Sequence, residues 1–260
     1  MLGCRIDRCC ACVLVVALAA CGSVREVEED AAADAWTSSC QTEQLVTTVQ
    51  TAAPGYGDRC IHGRWTLEAL NGATTPDAPN GPGHSASVTP EPITIGSNPL
   101  DPSSTFAVHV SGNGQQNNPP TYSYAQLFAP LNTASESQVG TVDATAFTGV
   151  QFYAIIQTGG MTARLSVGDL YTDPSGGMCT TTPGATTCYD HPTMTLDLST
   201  TWTKYQVPFV MLTQRGFGNI SPLGAAFPKD ALVFVRWDVD LPATAPAAAW
   251  DLWVDDVTFY

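Results

Sequence analysis

Basic residues, and charged residues in general, are scarce in this chain of 260 residues. Ten Lys and Arg face 24 Asp and Glu, which leaves a formal net charge of −14, and charged residues make up only 13% of the sequence. Nucleic-acid binding requires clustered Lys and Arg that displace counterions from phosphates, and an anionic membrane surface attracts the same kind of cluster. The composition therefore argues against both partners. The 44% of hydrophobic residues is nevertheless sufficient for a folded core.

Signatures of common enzyme classes are also lacking. The sequence has no GxSxG nucleophile motif, no P-loop and no GxGxxG turn, and its four histidines follow neither HExxH nor HxH spacing. We therefore predict a protein without catalytic activity. The paired carboxylates of a glycoside hydrolase leave no spacing signature, so a small glycan-active hydrolase remains an alternative. Its acids would come from a pool of Asp169, Asp173, Asp238, Asp251 and Asp255.

The N-terminus has the pattern of an export signal. Arg5 and Arg8 precede an apolar run of 12 residues at 9–20, which is shorter than the about 20 residues of a spanning helix but suits a signal peptide. The sequence LAAC at 18–21 resembles a bacterial lipobox, in which the cysteine is lipidated. The glycine that follows it, at position 22, resembles the residue found there in lipoproteins that are sent to the outer membrane. We predict a signal peptide over 1–20, lipidation at Cys21 and a lipid-anchored, cell-envelope location. Ordinary signal cleavage nearby is the alternative.

Four cysteines remain after the leader and Cys21 are set aside: Cys40, Cys60, Cys179 and Cys188. Their spacing is unlike that of a zinc site, and an oxidising compartment allows them to form disulfides. Three pairings are possible. Proximity in the sequence favours Cys40–Cys60 and Cys179–Cys188.

The residue pattern of the mature chain is typical of an all-β protein. Short runs rich in Val, Phe, Tyr, Trp and Thr alternate with Gly, Pro, Asn and Ser clusters, which is typical of a sandwich or barrel. We predict an acidic tether and N-terminal extension over 21–58 and one β-sandwich domain over 59–260. Ten strands are predicted at 63–70, 92–95, 105–112, 124–128, 149–157, 162–170, 194–197, 204–210, 231–238 and 249–260. Residues 71–83 and 112–120 are predicted to be loops.

Alternation along these strands predicts which polar and aromatic side chains leave the core. The outward set contains Gln151, Tyr153, Arg164, Ser166, Arg236, Asp238, Asp251 and Trp253. We expect these side chains to collect on one sheet face. An aromatic plane flanked by carboxylates and guanidinium groups suits the apolar face and the hydroxyls of a sugar ring.

Several segments resemble a known family. They are 142–152 (VDATAFTGVQF), the sequence CYDH at 188–191, 198–209 (LSTTWTKYQVPF) and 253–259 (WVDDVTF), with a fainter echo in GRW at 63–65. Together they resemble the galactose-binding-like, jelly-roll carbohydrate-binding modules, including the family 11 type found in bacterial lipoproteins. The resemblance covers residues 60–260. It implies a jelly-roll β-sandwich whose function is non-catalytic carbohydrate binding.

The resemblance also implies a structural calcium ion, held through Asp255 or Asp256. Family members often carry an acidic segment near their start that helps to hold this ion, and residues 54–60 lack it. No other cofactor is predicted.

The predicted ligand-binding residues are Tyr153, Arg164, Tyr189, Asp190, His191, Arg236, Asp238, Asp251 and Trp253. For the cluster at 189–191, structural packing of the loop is the alternative to ligand contact, and for the strand residues it is cross-strand pairing. The predicted partner is a carbohydrate, bound by a monomer that meets the membrane only through its lipid. A structural or protein-binding envelope lipoprotein is the alternative function.

Overall fold

The computed structural model describes residues 45–47, 55–56, 63–70, 72–75, 85–87, 91–93, 105–114, 124–135, 138–157, 162–182, 187–219, 228–240 and 248–260. All of them belong to one compact unit, Cys40–Tyr260. The predicted signal peptide, Cys21 and the pair Cys40–Cys60 lie outside the described residues. No helix in the described ranges is long and apolar enough to cross a membrane.

The described ranges form seventeen strands and three 3₁₀ turns. The first nine strands are β1 (Leu45–Thr47), β2 (Gly55–Tyr56), β3 (Gly63–Arg64), β4 (Thr66–Leu70), β5 (Gly72–Thr75), β6 (Ser85–Ser87), β7 (Glu91–Pro92), β8 (Phe106–Gly114) and β9 (Tyr124–Pro130). They are followed by β10 (Asn132–Ser135), β11 (Gln138–Gly140), β12 (Gly149–Ile156), β13 (Thr162–Asp169), β14 (Thr193–Asp197), β15 (Thr203–Pro208), β16 (Leu232–Asp240) and β17 (Ala248–Phe259). The 3₁₀ turns are Pro174–Gly176, Phe209–Met211 and Lys229–Ala231.

Two large antiparallel sheets make up the sandwich. The seven-stranded sheet has the order β15-β12-β17-β8-β5, with β1 on β17 and β7 on β8. The six-stranded sheet has the order β14-β13-β16-β9-β4-β6, and two small ladders, β10-β11 and β2-β3, complete the pairing. The all-β, two-sheet prediction is thus confirmed. In both sheets most neighbours are distant in sequence, so the site's geometry depends on long-range pairing.

The core lies between the two sheets. Val150, Phe152 and Ala154 on β12 point inward as their alternation predicts. Phe152 meets Trp237 of β16 edge-on at a ring distance of 5.2 Å, and Trp65 lies 5.7 Å from the same indole. Burying one such aromatic side chain contributes about 1.5–3 kcal/mol, so this contact is a main link between the sheets.

Each of the ten predicted strand regions overlaps a strand, 92–95 only at Pro92, but both predicted loops are partly wrong. β5 lies inside the predicted loop 71–83, and β8 continues into the predicted loop 112–120 as far as Gly114. These two segments pair with each other, from Gly72 opposite Gly114 to Thr75 opposite Ser111. Glycine and small polar residues give no apolar alternation, so an edge strand formed through backbone hydrogen bonds has no signal in the sequence.

The segment predicted as an N-terminal extension contributes a strand to the sandwich. β1 pairs with the C-terminal part of β17, with Leu45 opposite Thr258. The sequence-based prediction placed no strand in this segment. The seven-stranded sheet therefore begins before residue 59.

Candidate functional site

The register of the six-stranded sheet aligns polar side chains from four strands on its outer face. Arg164 lies opposite Asp238, Asp238 opposite Gln126, and Gln126 opposite Glu68. The neighbours of these residues along each strand are the core residues Leu165, Trp237, Leu127 and Leu67. Because side chains alternate across a sheet, the four polar groups share the face that points away from the core. We call them the polar row.

A second row runs beside the polar row on the same face. It contains Ser166, Arg236 and Phe128, which lie opposite one another on β13, β16 and β9. The rows are joined within β16 by an ion pair. Arg236 places Nε 2.9 Å from Oδ1 of Asp238 and donates from Nη2 to Oδ2 at 3.1 Å.

The Arg236–Asp238 pair is held rigidly from several sides. Ser166 donates its hydroxyl to Oδ2 of Asp238 at 2.7 Å, and the guanidinium carbon of Arg236 lies 5.3 Å from the ring of Phe128 and 5.5 Å from that of Phe234. A guanidinium group between two aromatic rings gains cation–π attraction. The charges of the pair are therefore fixed in place before any ligand arrives.

The side chains of Arg236 and Asp238 are less exposed to solvent than we expect for residues that point away from the core. Both residues are on the outer face, but Arg236 is only 9% exposed and Asp238 2%. The prediction of exposed side chains was wrong here because alternation gives direction and cannot show what packs above a sheet. Arg164, Gln126 and Glu68 are half-buried and are the members of the polar row that a ligand can reach.

One end of this face is formed by loops that are joined by a disulfide and by hydrogen bonds. We call them the loop cluster (residues 170–182, 187–192 and 213–219). Cys179 and Cys188 form a disulfide, which confirms the predicted pairing of these two cysteines. Beside it, the amide of Asn219 donates to the carbonyl of Thr187 at 2.6 Å, and Asn219 Nδ2 donates to the carbonyl of Met178 at 2.8 Å. The loop cluster is therefore a connected structure.

Asp190 holds the loop cluster together from inside. Its carboxylate accepts backbone hydrogen bonds from Arg215, Gly216, Phe217 and Gly218, at 2.8–3.1 Å. Gly218 approaches so closely that a Cβ there would lie 2.3 Å from the Cβ of Asp190. Asp190 is 1% exposed, which matches the loop-packing alternative for this residue instead of ligand contact.

Tyr189 lies where the loop cluster meets the two rows. Its φ of 74° is rare for a residue other than glycine, and it is 52% exposed. Its ring is 6.4 Å from that of His191, which packs edge-on at 4.9 Å against Phe234. Phe234 stands two positions before Arg236 on the outer face. An exposed aromatic ring is thus fixed at one end of the face, and Met178 and Phe217 expose further apolar surface on the same loops.

His191 is buried beneath Tyr189 and belongs to a short hydrogen-bonded chain. Thr172 donates its hydroxyl proton to Asp169 Oδ1 at 3.2 Å, so Nδ1 of His191 donates to Thr172 Oγ1 at 2.9 Å. Burial, together with the positive charge of Arg236, holds the pKa of His191 well below its usual value. His191 is therefore a neutral packing residue, and burial likewise raises the pKa of Asp169.

The other predicted ligand residues lie on the opposite side of the molecule. Tyr153, Asp251 and Trp253 are on the outer face of the seven-stranded sheet, on β12 and β17. Trp253 is 2% exposed and packs with Ala107, Ile155 and Trp202 in a second hydrophobic cluster. The expectation that all outward residues share one sheet face was therefore wrong, because the strands that carry them belong to two sheets.

The two acids predicted to hold calcium do not form a metal site by themselves. Asp255 is buried and its Oδ1 accepts the backbone N–H of Asp256, at 2.9 Å. Among the residues that the structure describes, no three His, Cys, Asp or Glu side chains are grouped so as to hold a metal ion. Calcium binding at Asp255 or Asp256 stays a prediction.

Sequence reasoning missed Gln126, Glu68 and Phe128 as members of this face. All three occur in predicted strands and alternate with core residues, so their direction was readable from the sequence. Their proximity to Arg164 and Arg236 was not, because it depends on the pairing of β9 with β16 and with β4. Phe217 carries no strand pattern, and its position follows from the bonds to Asp190.

No protein-family model matches the chain, and no curated protein matches it in sequence. A search of solved structures finds a family 11 carbohydrate-binding module from Clostridium thermocellum in complex with a β-1,3-1,4-mixed-linked tetrasaccharide, at 12% identity and a TM-score of 0.41, covering 75% of this chain and 95% of that one. A family 30 carbohydrate-binding module matches at 12% identity and 0.41, covering 74% and 94%. An exo-β-agarase matches at 10% and 0.43, covering 84% of this chain but 25% of the agarase. In structure, the chain is thus similar to these two modules and to part of the agarase.

Proposed function

We propose that this protein binds carbohydrate without converting it, and that the outer face of the six-stranded sheet is the binding site. The observation that carries the proposal is the combination on one face of the polar row, a preformed Arg236–Asp238 pair and the exposed ring of Tyr189. This face offers charged donors, charged acceptors and an aromatic plane in fixed positions. Such donors and acceptors can hydrogen-bond sugar hydroxyls, and an aromatic plane can pack on the apolar face of a sugar ring.

The reachable members of the polar row suit sugar hydroxyls, which both donate and accept hydrogen bonds. Arg164 offers only donors, Glu68 only acceptors and Gln126 both. Over the two rows together the opposite charges balance, since Arg164 and Arg236 accompany Asp238 and Glu68. This balance favours an uncharged polar ligand over a strongly charged one.

Tyr189 supplies the apolar part of the recognition. The C–H faces of sugar rings pack on aromatic rings, and a tyrosine also keeps a polar tip for water or ligand. Its fixed backbone, held between Cys188 and Asp190, limits the entropy that ordering on binding would cost. The site is open to solvent, so bound hydroxyls exchange water hydrogen bonds for protein ones and the affinity is modest.

Two acids of this region, Asp238 and Asp190, are already engaged in structural bonds, which supports binding without catalysis. Asp238 is bonded to Arg236 and Ser166, and Asp190 accepts four backbone bonds. A glycoside hydrolase instead needs two carboxylates about 5–9.5 Å apart on either side of the scissile bond. The small hydrolase therefore remains the less favoured alternative.

The cellular context that we propose follows from the N-terminal sequence. A signal peptide over 1–20 and a lipidated Cys21 would place the sandwich at the cell envelope, where glycans are accessible and disulfides persist. Lipid analysis of the exported chain tests this part, and a Cys21→Ser variant is its control. Unmodified, unexported protein would contradict it.

The binding proposal is tested by retention of the purified chain on a panel of soluble and insoluble polysaccharides, with released reducing sugar measured in parallel. We expect retention without release. Tyr189→Ala and Arg164→Ala should each weaken retention, Tyr189→Ala by roughly 1–3 kcal/mol if its ring stacks as other aromatic platforms do.

The matched control is Gln206→Ala, since Gln206 is exposed on the outer face of the seven-stranded sheet and bonds only its neighbour Gln151 among the described contacts, at 3.0 Å. Its retention should equal that of the wild type. Sugar release would favour the hydrolase. Lack of retention on every glycan would favour the protein-binding lipoprotein.

A further inference from the structure

His109 joins three strands on the outer face of the seven-stranded sheet, far from the proposed glycan site. Its Nδ1 is hydrogen-bonded to Oε2 of Glu91 at 3.0 Å. Its Nε2 lies 3.2 Å from Oδ1 of Asp251, an ion-pair contact that is not a linear hydrogen bond. The imidazole on β8 is therefore held between carboxylates from β7 and β17.

The imidazole also lies flat on Trp253. The two rings are 4.0 Å apart with an angle of 10° between their planes. Ile93, directly after β7, packs on the hydrophobic cluster that contains Trp253 and Ile155, and its amide donates to the carbonyl of Thr105 at 3.0 Å. The short segment 91–93, which we call the strap, thus covers this cluster and is fastened to it through His109.

The charged and titratable groups around His109 come from each neighbouring element. β7 supplies Glu91 and β17 supplies Asp251, the two groups that act directly on the ring. Farther along the same face, β17 also carries Asp255, and β12 carries Tyr153. β15 carries Lys204, whose ammonium group lies 5.8 Å from the ring of Tyr153. Both groups in contact with the imidazole nitrogens are acids.

We propose that His109 is a proton-operated clamp, which fastens the strap over the Trp253 cluster when the imidazole is protonated and loosens it when the proton is lost.

The chemistry of imidazole explains the switch. Protonated imidazole has two N–H groups and a positive charge, so it donates to Glu91 and attracts the Asp251 carboxylate at the same time. Neutral imidazole has one N–H, so the other carboxylate then faces a lone pair at about the same distance. Burial lowers the pKa of His109, but the two carboxylates of Asp251 and Glu91 outweigh it and raise the pKa above its usual value.

Linkage makes the proposal quantitative. If protonation closes the strap, the strap-opening equilibrium must change by about tenfold for each unit by which closure raises the pKa of His109. Two independent measurements on the full chain give these quantities. NMR titration gives the pKa of His109, and hydrogen exchange of the Ile93 amide, divided by its intrinsic rate at each pH, gives the opening equilibrium.

We expect the pKa of His109 to lie above 6.5 and the protection of Ile93 to fall as pH rises through it. Glu91→Gln keeps the size of the side chain and removes its charge, so it should lower the pKa of His109 and weaken the pH dependence. His109→Gln should abolish that dependence. Asp197→Asn, at an exposed acid of the six-stranded sheet, is the control and should leave both quantities unchanged.

Three results would overturn the clamp: a His109 pKa at or below 6.5, an Ile93 protection that does not change across the titration, or a pH dependence that persists in His109→Gln. If His109→Gln does not fold, Glu91→Gln decides, because an unaltered pKa of His109 in that variant removes the proposed contact. None of these outcomes depends on glycan retention, so the clamp and the proposed function are tested independently of each other.

Discussion

Asp190 uses one carboxylate to order a whole loop, because four successive amides converge on its two oxygens. Replacing it with asparagine keeps the shape but removes the charge and turns one acceptor into a donor that faces N–H groups. We expect Asp190→Asn to lower the free energy of unfolding by about 1.5–3 kcal/mol, the range for hydrogen bonds to a charged group. Urea unfolding measures this loss.

Asp197→Asn is the matched control for that variant, since Asp197 is exposed at the end of β14. It should change stability by less than about 0.5 kcal/mol. Glycan retention should also fall in Asp190→Asn, because the loop that it orders lies beside Tyr189. A stability equal to the wild type would show that the four bonds contribute little to the folded state.

His191 makes stability depend on pH in the acid direction. Its pKa in the folded state is well below the unfolded value of 6.5, so the unfolded chain binds the proton first as pH falls. Its contribution is therefore complete above pH 6.5 and is lost as pH falls below it towards the folded pKa. Urea unfolding from pH 7.5 to 5 should show this loss, and His191→Gln should reduce it. An equal loss in the variant would contradict the assignment.

Among the elements, β13 and β16 decide the shape of the proposed site through one glycine. Gly168 lies opposite Phe234, and a Cβ at Gly168 would come within 2.3 Å of the Phe234 ring. That ring supports both Arg236 and His191. The missing side chain on β13 is therefore what allows the ring on β16 to lie across it.

We expect Gly168→Ala to destabilise the protein by about 1–3 kcal/mol, as overpacking does, and to weaken glycan retention by displacing Phe234. Thermal unfolding and the retention assay measure the two effects. Thr195→Ala, exposed on the neighbouring β14, should leave the unfolding temperature unchanged. If Gly168→Ala is as stable as the wild type, Phe234 has room to move and does not fix Arg236.

The elements also show where prediction from sequence succeeds and where it stops. Alternation located β12, β13, β16 and β17 because their core residues recur at every second position. It gave no signal for β5, where glycine and threonine replace apolar residues. It also could not place Arg164 and Trp253 on different sheets. The direction of a side chain relative to the core follows from its neighbours in sequence, whereas the order of strands in a sheet depends on pairing between distant segments.

At the scale of the whole molecule, the two outer faces of the sandwich differ in what they expose to solvent. The six-stranded sheet presents Arg164, Gln126 and Glu68 towards solvent, next to the exposed Tyr189 of the loop cluster. The seven-stranded sheet covers its own aromatic residue, Trp253, with the strap and His109. The two faces differ in the solvent exposure of their outward side chains. This exposure depends on the loops and edge strands that pack over each face, and the sequence pattern does not predict their positions.

The most direct test of the account is a map of backbone amide shifts in the full chain, titrated with a glycan that retains it. We expect shifts on β13, β16, β9 and the loop cluster around Tyr189, and none on β12 or β15. The Arg164→Ala variant should lose the same shifts at equal glycan concentration. Shifts confined to the seven-stranded sheet, around Tyr153 and Lys204, would contradict the assignment of the site.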